Sequence, residues 1–88
     1  MEEQQRARIL VIDDEEGIRE GCRRVLEPQG YIVEAAGTGQ EGLRRLQQNS
    51  FDLVLLDVVL PDMRGIELLE PIHAQDPDII CIIITGYA

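Results

Sequence analysis

The chain has 88 residues, which suffices for one small domain and not for two. A hydrophobic content of 44% excludes a disordered chain, and a net charge of −9 with eight arginines, no lysine and no basic stripe excludes direct nucleic-acid binding. No apolar run approaches the ~20 residues of a membrane span. The N-terminus MEEQQRARIL lacks a signal-peptide apolar region, so a cytoplasmic protein is expected.

A polar lead-in, residues 2–6, precedes the aliphatic run of residues 8–12, which predicts a buried strand ending on Asp13 and Asp14. Residues 15–26 predict a helix, because Ile18, Cys22, Val25 and Leu26 recur at spacings of three and four. Asp14 is placed to cap it, and Pro28 and Gly30 stop it. Residues 31–36 predict a second strand, whose interior Glu34 marks a partly exposed edge. Thr38 followed by Glu41 matches a capping box for a helix running to about Gln48, with Leu43 and Leu46 inward. Gly42 weakens that helix by about 1 kcal/mol relative to alanine.

Residues 51–57 form the third predicted strand, which ends on Asp57. After the loop at 61–65, Ile66, Leu69 and Ile72 mark a third helix, which Pro71 is expected to kink or shorten. Residues 76–78 form a turn, and residues 79–85 a fourth strand. The alternation βαβαβαβ implies a parallel sheet with helices on both faces. With the second and third strands flanking the first, the order is 2-1-3-4. The first helix then covers one face and the next two cover the other. The run IICIIIT lacks alternation and reads as a strand meant to be covered on both faces, yet here it is an edge. Self-association through this fourth strand is therefore expected.

Cys22 and Cys81 lie in apolar contexts without CxxC or Cys/His spacing, so two buried free thiols are expected and a zinc site is not. His73 is read as a solvated helix-end residue. The acids carry more. In a 2-1-3 order the carboxyl ends of the first and third strands lie about 5 Å apart. Asp13, Asp14 and Asp57 would converge there, at the edge where open α/β sheets bind ligands. Three carboxylates so close repel one another and call for a cation, and all-oxygen ligands suit Mg²⁺. A carboxylate beside a cation can also attack phosphorus. Thr85, at the end of the fourth strand, could hydrogen-bond a phosphoryl oxygen.

Together ILVIDDEEGIR, DLVLLDVVLPDMRG and IIITGYA resemble the receiver domain of two-component response regulators, over residues 7–88. The resemblance implies a flavodoxin-like α/β fold, with residues 1–88 as the N-terminal portion of one receiver whose fifth strand and last two helices are missing. It implies that Asp57 is the phosphoacceptor, taking a phosphoryl group from a sensor histidine kinase or phosphotransfer protein. It implies that Asp13 and Asp14 hold Mg²⁺ with Asp57, one of them through water, and that the backbone carbonyl of Val59 is a further ligand. Thr85 would be the switch hydroxyl, with the small Gly86 beside it giving the phosphoryl group access. Pro61 and Gly65 would shape the loop, and an output domain in the parent protein would read the switch.

Receivers pair the phosphate with a lysine at the end of a fifth strand, and this chain has no lysine. Weak or no stable phosphorylation is therefore expected of this chain. Two other readings compete. A haloacid-dehalogenase-type phosphotransfer enzyme would show DxDGT-like spacing, whereas Asp57 is followed by Val-Val-Leu-Pro. A phosphorylation-independent interaction module of the same fold is separated from the switch by Asp57→Asn, which would leave its binding unchanged.

Overall fold

A computed structural model describes residues 6–84. Four strands alternate with three helices: β1 (Arg8–Ile12), α1 (Glu16–Leu26), β2 (Ile32–Ala36), α2 (Gly39–Gln48), β3 (Leu53–Asp57), α3 (Ile66–Gln75) and β4 (Ile80–Ile84). All pairings are parallel and the order is β2-β1-β3-β4, as expected from the sequence. Ile12 lies beside Ala36 on one side and Leu56 on the other.

Strand alternation divides the core in two. Ile9, Val11 and Val33 pack under Cys22 and Leu26 of α1, with Leu53 and Leu55 at the margin. Leu10, Ile12, Val54 and Leu56 point the other way, against Leu43 and Leu46 of α2 and Leu68, Leu69 and Ile72 of α3. Those four strand residues are fully buried, each contributing about 1.5–3 kcal/mol of transfer free energy. Gly42, weak by propensity, has a packing reason. A Cβ there would collide with Ile12 Cδ1, so its absence lets α2 sit close on β1.

Several expectations need correction. Asp14 does not cap α1. The N-cap is Glu15, with no side-chain bond, while Asp13 Oδ1 accepts from the Glu15 amide at 2.9 Å. An aspartate readily reaches the amide two residues on, and Asp13 is first in line to do so. The second strand starts at Ile32 rather than residue 31, because the chain leaves the helix through a 3-10 turn at Glu27–Gln29 and Gly30 at φ 101°. The third strand starts at Leu53, although Phe51 is buried in the core. The fourth begins at Ile80.

Pro71 does not shorten α3, which continues to Gln75. Burial of Leu68 and Ile72 on either side outweighs the backbone bond that proline removes. Ile66 points outward at 65% exposure, and Leu68 takes its place inside. Both cysteines are half-buried rather than buried, and burial raises both thiol pKa values. His73 is exposed, but its Nε2 lies 3.1 Å from the Ile79 carbonyl, so it has a partner that the solvated reading omitted. Glu34 behaves as an edge charge should, taking Arg8, Arg45 and Asn49 at 2.9–3.2 Å.

One side of the sheet is less covered. Arg23 of α1 reaches the Val33 carbonyl of β2 at 3.0 Å. Cys22 and Leu26 of α1 meet the sheet, while Ile18 and Val25, expected inward, stay exposed. On β4, Ile80, Ile82 and Ile83 are 60%, 45% and 41% exposed.

Candidate functional site

The register of β1 against β3 brings Asp13 and Asp57 side by side at the carboxyl ends of the two central strands. Each of Asp13, Asp14 and Asp57 offers a carboxylate oxygen, and these atoms all lie within 4.8 Å of one another. Their settings differ: Asp13 is buried, Asp14 exposed and Asp57 half-buried. Asp13 is pinned from three sides. Its amide donates to the Ala36 carbonyl at 3.0 Å, its Oδ1 accepts from Glu15, and its own carbonyl accepts from Arg19 Nη1 at 2.8 Å. Burial raises its pKa above the ordinary carboxylate value. The Glu15 amide partly offsets this, and the charges of Asp57, Asp14 and Glu15 push it further up. Such a set of crowded hard oxygens fits a small divalent cation.

The loop that follows Asp57 is folded on itself. The Val58 amide donates to Ile84 at 3.3 Å, the Leu60 amide to Met63 at 3.0 Å and the Gly65 amide back to Val58 at 2.7 Å, and Val59 bridges to Arg64. Gly65 has to be glycine, since a Cβ there would meet the Asp57 carbonyl oxygen. At the loop's tip Asp62 turns to α2. Its Oδ1 accepts from the Gly39 amide at 2.8 Å and its Oδ2 from the Gln40 amide at 3.0 Å. Those two bonds hold its pKa below the ordinary carboxylate value. Met63 packs against Gly39, where a Cβ would lie 2.6 Å from its Sδ.

Thus the three predicted acids come together, and Val59 lies in the loop two residues beyond Asp57, 60% exposed. Thr85 and Gly86 fall outside the described residues. Sequence reasoning missed Asp62, Arg19 and Met63. No sequence pattern points at Asp62: Thr38 caps α2 through the Glu41 amide at 3.1 Å, and the first two helical amides can be met by any acceptor or by water. A surface cleft of about 410 Å³ lies at the other end of the sheet, between Asn49, Phe51 and Gln75, and contains none of these acids.

A parallel 2-1-3-4 sheet with three carboxylates gathered where its two central strands end defines a flavodoxin-like α/β module with an acidic site. The sequence matches the family profile of the response regulator receiver domain over residues 9–88, and the chain belongs to that family. It is 40% identical to the response regulator receiver protein CpdR of Brucella abortus over 81 residues, covering 92% of this chain and 68% of CpdR. It spans only 9% of another relative, the sensor kinase CckA of the same organism, at 38% identity.

The crystal structure of a CheY-like receiver domain protein from Methanospirillum hungatei superposes with a TM-score of 0.91 at 44% identity, over 96% of this chain and 67% of that one. A Burkholderia pseudomallei response regulator, solved with a phosphorylated aspartic acid, a calcium ion and citrate, gives a TM-score of 0.87 at 33% identity, over 93% of this chain and 48% of its own. TrrA of Thermotoga maritima, solved with Mg²⁺-BeF, gives a TM-score of 0.86 at 36% identity, over 93% and 71% of the two chains. TrrA has also been solved in complex with the histidine kinase ThkA.

Proposed function

We propose that the chain is the N-terminal portion of a phosphoacceptor receiver, in which Asp57 takes a phosphoryl group from a phosphohistidine of a sensor kinase or phosphotransfer protein in the cytoplasm. The observation that carries this is the convergence of Asp13, Asp14 and Asp57. An Asp57 oxygen attacks phosphorus, the P–N bond to the imidazole breaks, and the imidazole nitrogen leaves with the electron pair. Asp57, half-buried at the end of the central strand β3, keeps access to solvent beside the carboxylates of Asp13 and Asp14. Asp13 is too buried to serve as nucleophile, and its raised pKa reflects the cost of charge there.

Asp13, Asp14, Asp57 and the Val59 carbonyl would hold Mg²⁺, which when bound offsets the negative charge of the acids and of the phosphoryl oxygens. Support from relatives comes from TrrA with Mg²⁺-BeF and from the phosphorylated aspartic acid of the Burkholderia regulator. Thr85 would turn its hydroxyl to the phosphoryl group, and an output domain would read the change. The chain holds no lysine to neutralise the added charge of about −1.5 to −2.

Incubation with Mg²⁺ and a small acyl phosphate, followed by intact mass, tests this. A Mg²⁺-dependent, substoichiometric adduct on Asp57, absent from Asp57→Asn, is expected. No adduct in the wild type, or one that survives Asp57→Asn, removes the phosphoacceptor reading. A long-lived stoichiometric adduct removes only the impairment.

The exposed isoleucines of β4 support a second element of this reading, self-association of the chain through that strand. The net charge of −9 opposes it, so added salt should favour it by screening. Light scattering across a salt series checks this. A monodisperse monomer at high concentration and high salt counts against it.

A further inference from the structure

We infer that Asp62 is a positioning residue for the divalent-cation site: it straps the loop that carries Val59 to the N-terminus of α2. The inference rests on the reading that Asp13, Asp14, Asp57 and the Val59 carbonyl take Mg²⁺. A main-chain carbonyl is a useful ligand only if its loop is held still, and Val59 lies in a stretch that is 60% exposed at that residue. The bonds within the loop, Leu60 to Met63 and Gly65 to Val58, fix its shape, and the bond from Val58 to Ile84 with the buried Leu60 anchors its base. They do not by themselves fix the tip against the rest of the protein.

Asp62 does. It takes two main-chain amides of α2 at 2.8 and 3.0 Å, at the positive end of the helix dipole, while Met63 packs on Gly39. The helix so gripped is itself seated on β1, where Gly42 admits Ile12 Cδ1. Ile12 precedes Asp13. The contacts therefore close a ring: from Asp57 through the loop to Asp62, across to Gly39, along α2 to Gly42, and through Ile12 to Asp13. One end of the ring carries the proposed acceptor and the other the most buried acid. A displacement of the loop tip is then felt at both, and cation occupancy is felt at the start of α2.

Thr38 supplies the control. It caps the same helix end through the Glu41 amide at 3.1 Å, on its own element and without bridging to the loop. If Asp62 served only as a helix cap, losing Thr38 would have the same consequence for the cation.

Calorimetric titration of the full chain with Mg²⁺ alone, on wild type, Asp62→Ala, Asp62→Asn and Thr38→Ala, tests this. Amide NMR of Gly39 and Gln40 accompanies it. Asp62→Ala should bind Mg²⁺ about tenfold more weakly, the scale on which residues that orient metal ligands act. Asp62→Asn, which keeps one acceptor oxygen, should recover most of the loss, and Thr38→Ala should match the wild type. In the wild type the Gly39 and Gln40 amide signals should move on Mg²⁺ saturation. Wild-type affinity in Asp62→Ala overturns the inference, as does an equal loss in Thr38→Ala. Should Asp62→Ala fail to fold, unmoved Gly39 and Gln40 signals in Mg²⁺-saturated wild type overturn it. Absence of Mg²⁺ binding by the wild type removes the cation site itself, and the inference with it.

Discussion

Asp13 and Asp62 lie at the same end of the sheet, one closing β1 and the other at the tip of the loop after β3, yet their ionisation is pushed in opposite directions. Asp13 is buried beside two other acids, and desolvation raises its pKa. Asp62 is exposed and held by two helix amides, which lower its pKa. The crowded acids store unfavourable charge that a cation would relieve, whereas the loop is satisfied by main-chain donors. Chemistry and scaffold are thus separated by a few residues: strain is kept where a ligand is expected, and the geometry is fixed next door.

The largest expected effect comes from breaking the scaffold side. Gly65→Ala puts a methyl group against the Asp57 carbonyl oxygen, and a main-chain atom cannot swing aside. A loss of about 3 kcal/mol, at the upper end of overpacking costs, is expected by urea denaturation. Wild-type stability would show that the loop yields freely, and the contrast with the acid cluster would fail.

The acid cluster should respond in the opposite sense. Asp13→Asn keeps the oxygen that accepts from Glu15 while removing a buried charge among acids. Without divalent cation it should stabilise the fold by about 1 kcal/mol. Wild type at ten times its Kd for Mg²⁺ should gain about 1.4 kcal/mol, and the variant much less. Destabilisation by Asp13→Asn in cation-free buffer would show that the charge is not strained.

The smallest effect is in the pH dependence, where the two aspartates should have opposite signs. The folded state holds the Asp13 proton more tightly than the unfolded chain does. In cation-free buffer that contribution to stability therefore falls as pH rises from the ordinary carboxylate value through the raised one. The contribution of Asp62 is complete above the ordinary value and is lost as pH falls through its lowered one. Stability curves of Asp13→Asn and Asp62→Asn, each subtracted from wild type, should slope in opposite senses. Parallel curves would remove the distinction.

How far each feature could be read depended on the distance over which its cause acts. The aliphatic runs ending on Asp13 and Asp57, the Thr38 cap and the alternation of strands with helices are local patterns, and they were legible together with the strand order. The exposure of Ile18 and Val25 was not legible, because periodicity marks the apolar stripe of a helix but not how much of that stripe the sheet covers. Nor was the outward turn of Ile66, since a helix of mostly apolar residues does not say which stripe faces the sheet.

The sequence by itself determined the element order, the sheet topology and which acids stand at strand ends, because chain connectivity, apolar runs and the handedness of crossovers leave few alternatives. Only the tertiary structure decided that Asp13 rather than Asp14 is buried, since that depends on which side chain first meets the Glu15 amide and the end of β2. The strap from Asp62 to Gly39 and Gln40 is of the same kind. Its partners are more than twenty residues apart, joined by no periodicity, and they meet because packing on the central strands brings a loop tip to a helix end.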